Sequence, residues 1–180
     1  VMSFDDFPGG ASHYVKTGQV LPLDTSDACK TAHAMLHGAA GLPNVTYPDG
    51  TEVGNDLHLQ LRFKLDLYAN VRPIRLYQGD FSPLKNREAG DIDYVIVREN
   101  TEGLYASRGA GVLLRGEVAT DTLVLTRKGC ERIARFAFEL SRKRNGAPSD
   151  HKRRMTVCDK ANILRSYAFF RSVCDDVAKD

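Results

Sequence analysis

The sequence predicts an α/β protein. Three observations carry that reading. DYVIV (93–97) is a short β-branched run of strand type, and KGCERIARFAFELSRKR (128–144) repeats its apolar residues at helical spacing. Between and around them, strand-like and helix-like segments alternate along the chain. With 180 residues the chain is long enough for one generous domain or two small ones.

The elements follow in order. DTSDACKTA (24–32) opens on capping residues and reads as a short helix. AMLHGAAGLP reads as a small strand entering a Gly/Pro loop, with a strong turn signal at Pro48, Asp49 and Gly50. LHLQLRFKLDL (57–67) alternates like a strand, yet Leu57, Leu61 and Leu65 also lie four apart, as do Leu59, Phe63 and Leu67. Its leucine-rich composition, poor in β-branched residues, favours a helix buried along both stripes. VRPIRLY (71–77) reads as a strand in which Pro73 holds Arg72 extended.

The β-branched run Val95, Ile96, Val97 reads as a buried strand, and it ends on Arg98 and the polar ENTE. Residues 99–126 read as an arm of short strands. Ile133, Phe136, Ala137 and Leu140 define the buried face of the 128–144 helix. MTVCD (155–159) reads as a strand, and a last helix starts near Leu164 with Phe170, Val173, Cys174 and Val177 on one face.

Composition narrows the function. The net charge of +2 is too near balance to argue for nucleic acid, and SRKRNGAPSDHKRR reads as a solvated helix end and loop. No apolar run approaches the ~18 residues of a membrane span. Cys29, Cys130, Cys158 and Cys174 form neither CxxC pairs nor a zinc pattern with the histidines, which fits free thiols in a reducing compartment: the cytoplasm or, in a eukaryote, an organellar matrix. GxGxxG, P-loop, HExxH and GxSxG motifs are missing; GAGVLL (109–114) lacks the third glycine. The chain starts at Val1 rather than Met and ends in DDVAKD within a helical pattern, so it reads as a piece of something longer.

Arg62 lies on the leucine-rich segment, Arg72 at the mouth of one strand, and Arg98 at the end of another. Singly, each arginine is more often a surface or ion-pair residue. Facing one cavity, the three would repel unless an anion lay among them, and guanidinium groups grip carboxylates in bidentate fashion. A di- or tricarboxylic acid satisfies such a trio. Lys160, straight after a strand in DKANIL, is a candidate base, and Tyr105 is a candidate acid.

LRFKLDLYANVRP, VIVRENTEGLY and CDKANIL, in that order, resemble the isocitrate/isopropylmalate dehydrogenase family, the metal-dependent β-decarboxylating dehydrogenases of 2-hydroxy acids. FPGGASHYVKTGQVLPLDTSDACKTAHAML is similar to the family's early stretch, so the resemblance covers nearly the whole chain. It implies that family's α/β fold instead of the GxGxxG Rossmann type, in a two-domain subunit of which only part is present. Residues 1–67 would be part of the first, cofactor-side domain. Residues 68–180 would be the second, with the arm at about 99–126 building a homodimer.

The resemblance also implies roles. Arg62, Arg72 and Arg98 match the substrate-carboxylate arginines and Tyr105 the tyrosine that protonates the enol. Lys160, contributed across subunits, matches the lysine that helps deprotonate the 2-hydroxyl, with Asn162 as its neighbour near substrate. The implied cofactors are NAD or NADP and Mg2+ or Mn2+. Metal ligands are expected outside this chain, in a missing C-terminal part. The implied reaction is oxidative decarboxylation of a 2-hydroxy acid of the 3-isopropylmalate, malate/tartrate or isocitrate type. The alternative is a non-catalytic regulatory or truncated paralogue, against which the joint presence of Tyr105 and Lys160 argues. Where isopropylmalate enzymes carry a Glu and two leucines, and isocitrate enzymes a Ser and an Asn, this chain has Asn55, Asp56, His58 and Leu59. These predict a polar or small γ-substituent, because a histidine buried unpaired against an isopropyl group is costly. Neither a membrane nor a nucleic acid is an expected partner.

Overall fold

The computed structural model of the protein describes residues 2–180. The chain divides into two compact units that part between Leu67 and Tyr68.

The first unit holds three helices, α1 (Ala11–Thr17), α2 (Leu23–Thr31) and α3 (Val53–Lys64). Its core gathers Ala11, Val20, Val53, Leu57 and Leu61, with Tyr14, Tyr47 and Leu65 packed around them. Apolar burial of this kind supplies most of the stability of so short a set of helices. α3 is the helix expected from the leucine-rich segment, but it buries only one of the two stripes. Val53, Leu57 and Leu61 are inside, whereas Phe63 and Leu67 stay about 40 % exposed (39% and 42%). The described residues of the unit gather in one core, and Val53, Leu57 and Leu61 are the side that faces it.

Gly54 explains how closely α3 is approached. A Cβ at this position would lie 2.5 Å from the Cα of Gly41, so the loop at 40–41 lies directly on the helix. That loop belongs to AMLHGAAGLP, which is not the small strand its sequence predicts. One of its peptide groups is instead tied to a helix start: the Ala40 carbonyl accepts from the Ala11 N–H at 2.8 Å. A strand needs a ladder for its peptide groups, and this segment has none.

The second unit is built on an antiparallel ribbon of β1 (Ala69–Arg75) and β2 (Asp93–Glu99), with Asn70 opposite Arg98 and Arg72 opposite Ile96. One face of β2 rests on α4 (Arg127–Lys143), and α4 packs against α5 (Arg165–Val177). Ala134, Cys174 and Val177 form the α4–α5 core, flanked by Phe138, Val157 and Phe170. β3 (Val112–Leu114) and β4 (Val118–Thr120) make a separate hairpin, turned by Arg115 and Gly116, both at positive φ.

Two expectations are corrected in this unit. β2 is not a fully buried strand: Tyr94 and Ile96 are about half exposed (50% and 48%), because a two-stranded ribbon has a helix on only one side. MTVCD at 155–159 joins no ladder; Val157 packs on the α4–α5 core as extended chain without a strand partner.

Candidate active site

Register decides which side chains share a face. In an antiparallel ladder, directly opposed residues point the same way and neighbours alternate. Asn70, Arg72, Ile96 and Arg98 therefore project from one face of the β1–β2 ribbon, and Asp93, Val95, Val97 and Glu99 from the other. The second set faces α4. Asp93 pairs with Arg144 at the helix's C-terminal end, and Glu99 pairs with Arg132 nearer its start at 3.3 Å. The spacing agrees: the two acids span about 20 Å of strand and the two arginines about 18 Å of helix. The Glu99–Arg132 pair is the better shielded (15% and 19% exposed), Asp93–Arg144 is about a third exposed, and Lys30–Asp27 in the first unit is half exposed and worth no more than ~1 kcal/mol.

Arg72 and Arg98 are thus brought together on the face turned away from α4. They are diagonal neighbours, roughly 7–8 Å apart at the backbone. Arg72 Nε donates to Asn70 Oδ1 at 2.8 Å, which steadies it on that face. Two guanidinium groups on one face have the chemistry to grip a carboxylate or a dicarboxylate.

Beyond Arg98 the chain turns through Asn100, which is buried, and Thr101, Glu102 and Gly103. Gly103 forms a bridge with Val124 (2.7 and 3.2 Å), and Ser107 Oγ donates to the Thr122 carbonyl at 2.5 Å. Tyr105 sits between these two attachments. Its ring lies under the Arg98 guanidinium, 5.4 Å from Cζ to the ring centroid. The sequence-predicted clamp and acid are therefore neighbours.

Lys160 and Asn162 stand in the turn before α5. The turn is tied by Asp159, whose buried carboxylate accepts from Arg171 at 2.6 and 2.8 Å and from the Ala161 N–H at 2.8 Å. The Arg171 guanidinium holds the Asp159 carboxyl below the usual carboxylate range. Lys160 is exposed, next to an aspartate already committed to another cation.

In the first unit, Arg62 is half-buried at the end of α3, and its carbonyl accepts from the Leu67 N–H at 2.9 Å. His58, one turn earlier, carries the specificity reading furthest. Its ring is 4.4 Å from that of His37. Burial first, then His37 and Arg62, holds the His58 imidazole below its ordinary value of 6.5. Asp56 is occupied within the unit, accepting from Tyr47 OH at 3.0 Å and from Gln60 Nε2 at 2.8 Å. Asn55 is exposed and donates to Glu52 at 2.8 Å.

The sequence reading missed His37, Glu99, Glu102 and Arg132. His37 carried no local signal, since its partner lies on α3. Glu102 is more instructive. α4 is capped by Thr126, whose Oγ1 accepts from the Gly129 N–H at 3.0 Å. A capping box would place a Glu at the position of Gly129 to accept from the Thr126 N–H. Here Glu102 reaches in to accept that bond at 2.8 Å, and a Cβ on Gly129 would collide with its carboxylate. The missing Cβ was the available clue.

Among the described residues no group of three or more His, Cys, Asp or Glu side chains is placed to hold a metal ion. No helix among them is long and apolar enough to cross a membrane.

The chain's resemblances agree with this geometry. The family model for isocitrate/isopropylmalate dehydrogenase matches residues 1–180. A 3-isopropylmalate dehydrogenase from Bifidobacterium longum (strain DJO10A) is 41% identical over 163 residues, covering 89% of this chain and 44% of the relative. One from Corynebacterium glutamicum (strain R) is 38% identical, covering 97% and 49%. Isocitrate dehydrogenase from Methylococcus capsulatus superposes with a TM-score of 0.73 at 32% identity, over 95% of this chain and 46% of that one. A beta-decarboxylating dehydrogenase from Thermococcus kodakarensis superposes at 0.67 with 34% identity, over 95% and 44%. The chain thus spans about half, or somewhat less, of the length of the curated relatives it matches. Its match to the family model along the entire sequence shows that the chain belongs to the isocitrate/isopropylmalate dehydrogenase family.

Proposed function

We propose that this chain serves an NAD(P)+-dependent oxidative decarboxylation of a 3-substituted malate, with 3-isopropylmalate the leading substrate. The observation that carries the reading is the shared face of Arg72 and Arg98 with Tyr105 beneath Arg98. The similarity to enzymes named for 3-isopropylmalate supports the choice of acid.

Arg62, Arg72 and Arg98 bind the substrate carboxylates. Lys160 manages the proton of the 2-hydroxyl, and Asn162 orients the same end of the substrate. Tyr105 gives a proton to the carbon that loses CO2. NAD(P)+, when bound, would supply the hydride acceptor that oxidation of the secondary alcohol requires. A divalent cation, Mg2+ or Mn2+, belongs to the proposed activity, and the described residues supply no ligand set for it.

A second copy of the chain is the proposed partner. Leu113 is 72% exposed and Val112, Leu114 and Val118 about half (49%, 56% and 50%), and a lone hairpin is marginal in water without a covering layer. Sedimentation of the intact protein tests this. A dimer that dissociates on Leu113→Asp supports it, and a monomeric wild type rejects it.

A second reading of the substrate rests on His37 and His58. Paired imidazoles favour a polar or anionic γ-substituent, as in isocitrate or tartrate. The test is NAD(P)H formation by the intact protein with 3-isopropylmalate, isocitrate, malate and tartrate. Preference for 3-isopropylmalate upholds the leading reading, preference for a polar acid installs the second, and no turnover on any of them returns the chain to the non-catalytic alternative.

A further inference from the structure

The turn that delivers Tyr105 is bolted to α4 at two points. At the first, near the start of the helix, Glu102 accepts from the Thr126 N–H and hydroxyl, in the space left by Gly129. At the second, further along it, Arg132 donates to Thr101 Oγ1 at 2.6 Å and pairs with Glu99 at 3.3 Å. Glu99 closes the second latch: it accepts from the Thr101 hydroxyl (2.7 Å) and from the N–H groups of Thr101 (2.9 Å) and Glu102 (2.6 Å). The Arg132 guanidinium is fixed from its other side by the face of Tyr68, 4.6 Å away, whose ring stands edge-on to Phe136.

Charge-assisted hydrogen bonds at the part-buried Arg132–Glu99 latch are strong and directional, and a planar guanidinium held by both an aromatic face and a fork has little freedom. Glu99 and Arg98 are adjacent in β2 and point to opposite faces. Pulling Glu99 down onto α4 therefore sets the roll of the strand end and aims the turn beyond it. Arg98 itself is held in the ladder opposite Asn70, whereas Tyr105 lies past the turn and depends on it.

We infer that Arg132 is a positioning residue for Tyr105, holding the Glu99–Glu102 turn so that the phenol stands under Arg98. The inference rests on the catalytic reading above for its consequence, though its geometric content is separate.

The test uses Arg132→Lys and Thr101→Val in the intact protein, with 3-fluorotyrosine incorporated at Tyr105. Lysine keeps the charge but lacks the planar fork. Valine removes the relay hydroxyl without stranding a charge, so it remains informative where the arginine variant folds poorly. The expected result is a moved or broadened fluorine resonance in both variants. With it should come a kcat lowered roughly ten- to a hundredfold while KM is little changed, since misplacing a reacting group costs rate more than binding. An unmoved resonance overturns the inference. So does a parallel collapse of kcat, KM and melting temperature, which marks general damage. A wild type inactive towards all the acids, with the resonance still moved by both variants, overturns the catalytic reading and leaves Arg132 as the residue that places Tyr105.

Discussion

The Arg98 guanidinium lies over the ring of Tyr105, 5.4 Å from its centroid. A cation against the π face stabilises the ring's electron density and ties the two side chains together. The pairing gives the two residues separable kinetic signatures. Arg98→Lys should raise KM by about one to two orders of magnitude, because a point charge replaces a bidentate fork. Tyr105→Phe keeps the ring and removes only the proton donor, so kcat should fall by about 10²-fold or more with KM nearly unchanged. Steady-state kinetics with the preferred acid reads both. Equal effects on KM from the two variants would contradict the assignment.

The closeness of Gly54 to Gly41 makes a stability prediction. Gly54→Ala gains helix propensity in α3 but drives a methyl group to 2.5 Å from backbone, so overpacking should win and cost about 1–3 kcal/mol. Gly38→Ala is the control, since a Cβ there meets nothing within 4 Å and no positive φ is needed. Its change should stay within about 0.5 kcal/mol. Urea denaturation of both variants checks the pair.

The thiols should react in two classes. Cys130 and Cys174 are buried in the α4–α5 region, and their pKa values are pushed up to about 11. Burial is the main cause in each, with Glu102 adding to it at Cys130 and Asp175 at Cys174. The thiolate is the nucleophile, so both should resist alkylation at neutral pH until the unit unfolds. Cys158 is exposed and should be modified first. Peptide mapping after brief iodoacetamide treatment distinguishes them. Early labelling of Cys130 or Cys174 would mean that α4 and α5 separate readily.

What could be read from the sequence depended on the range of the interactions involved. α4 and α5 announce themselves because apolar residues recur at helical spacing within one helix. Val173, Cys174 and Val177 of α5 are buried as expected. Of Ile133, Phe136, Ala137 and Leu140 in α4 only Ile133 is fully buried and the other three are half-buried, Ala134 being buried in addition. Arg98 and Tyr105 were singled out through the motif around them, and the structure sets their side chains together. The failures are all questions of partnership. MTVCD has strand composition but no neighbouring ladder, AMLHGAAGLP joins no ladder and ties its Ala40 carbonyl to the start of α1, and the Phe63 stripe of α3 lacks a covering layer within its unit. The latch on Tyr105 was hidden for the same reason. Glu102 and Thr126 are far apart in sequence, and the only local sign of their meeting is a glycine where a capping glutamate would be expected.

His58 supplies the pH prediction. Its pKa is lowered in the folded protein by burial, with His37 and Arg62 adding repulsion. Protonation therefore favours the unfolded chain. As pH falls past the ordinary value of 6.5, the unfolded state takes up a proton that the folded state declines, and stability drops until pH passes the lowered folded value. Above 6.5 this contribution is fully present. Thermal unfolding between pH 8 and pH 5 should show the midpoint decline beginning at about 6.5. In His58→Gln, which cannot titrate, that part of the decline should be weaker. It is separable from the losses at Asp159 and Asp176, whose lowered carboxylates give way only in more acidic solution, below the ordinary value of 3.8. Identical profiles for wild type and His58→Gln would show that the titration of His58 does not contribute to the pH dependence of stability.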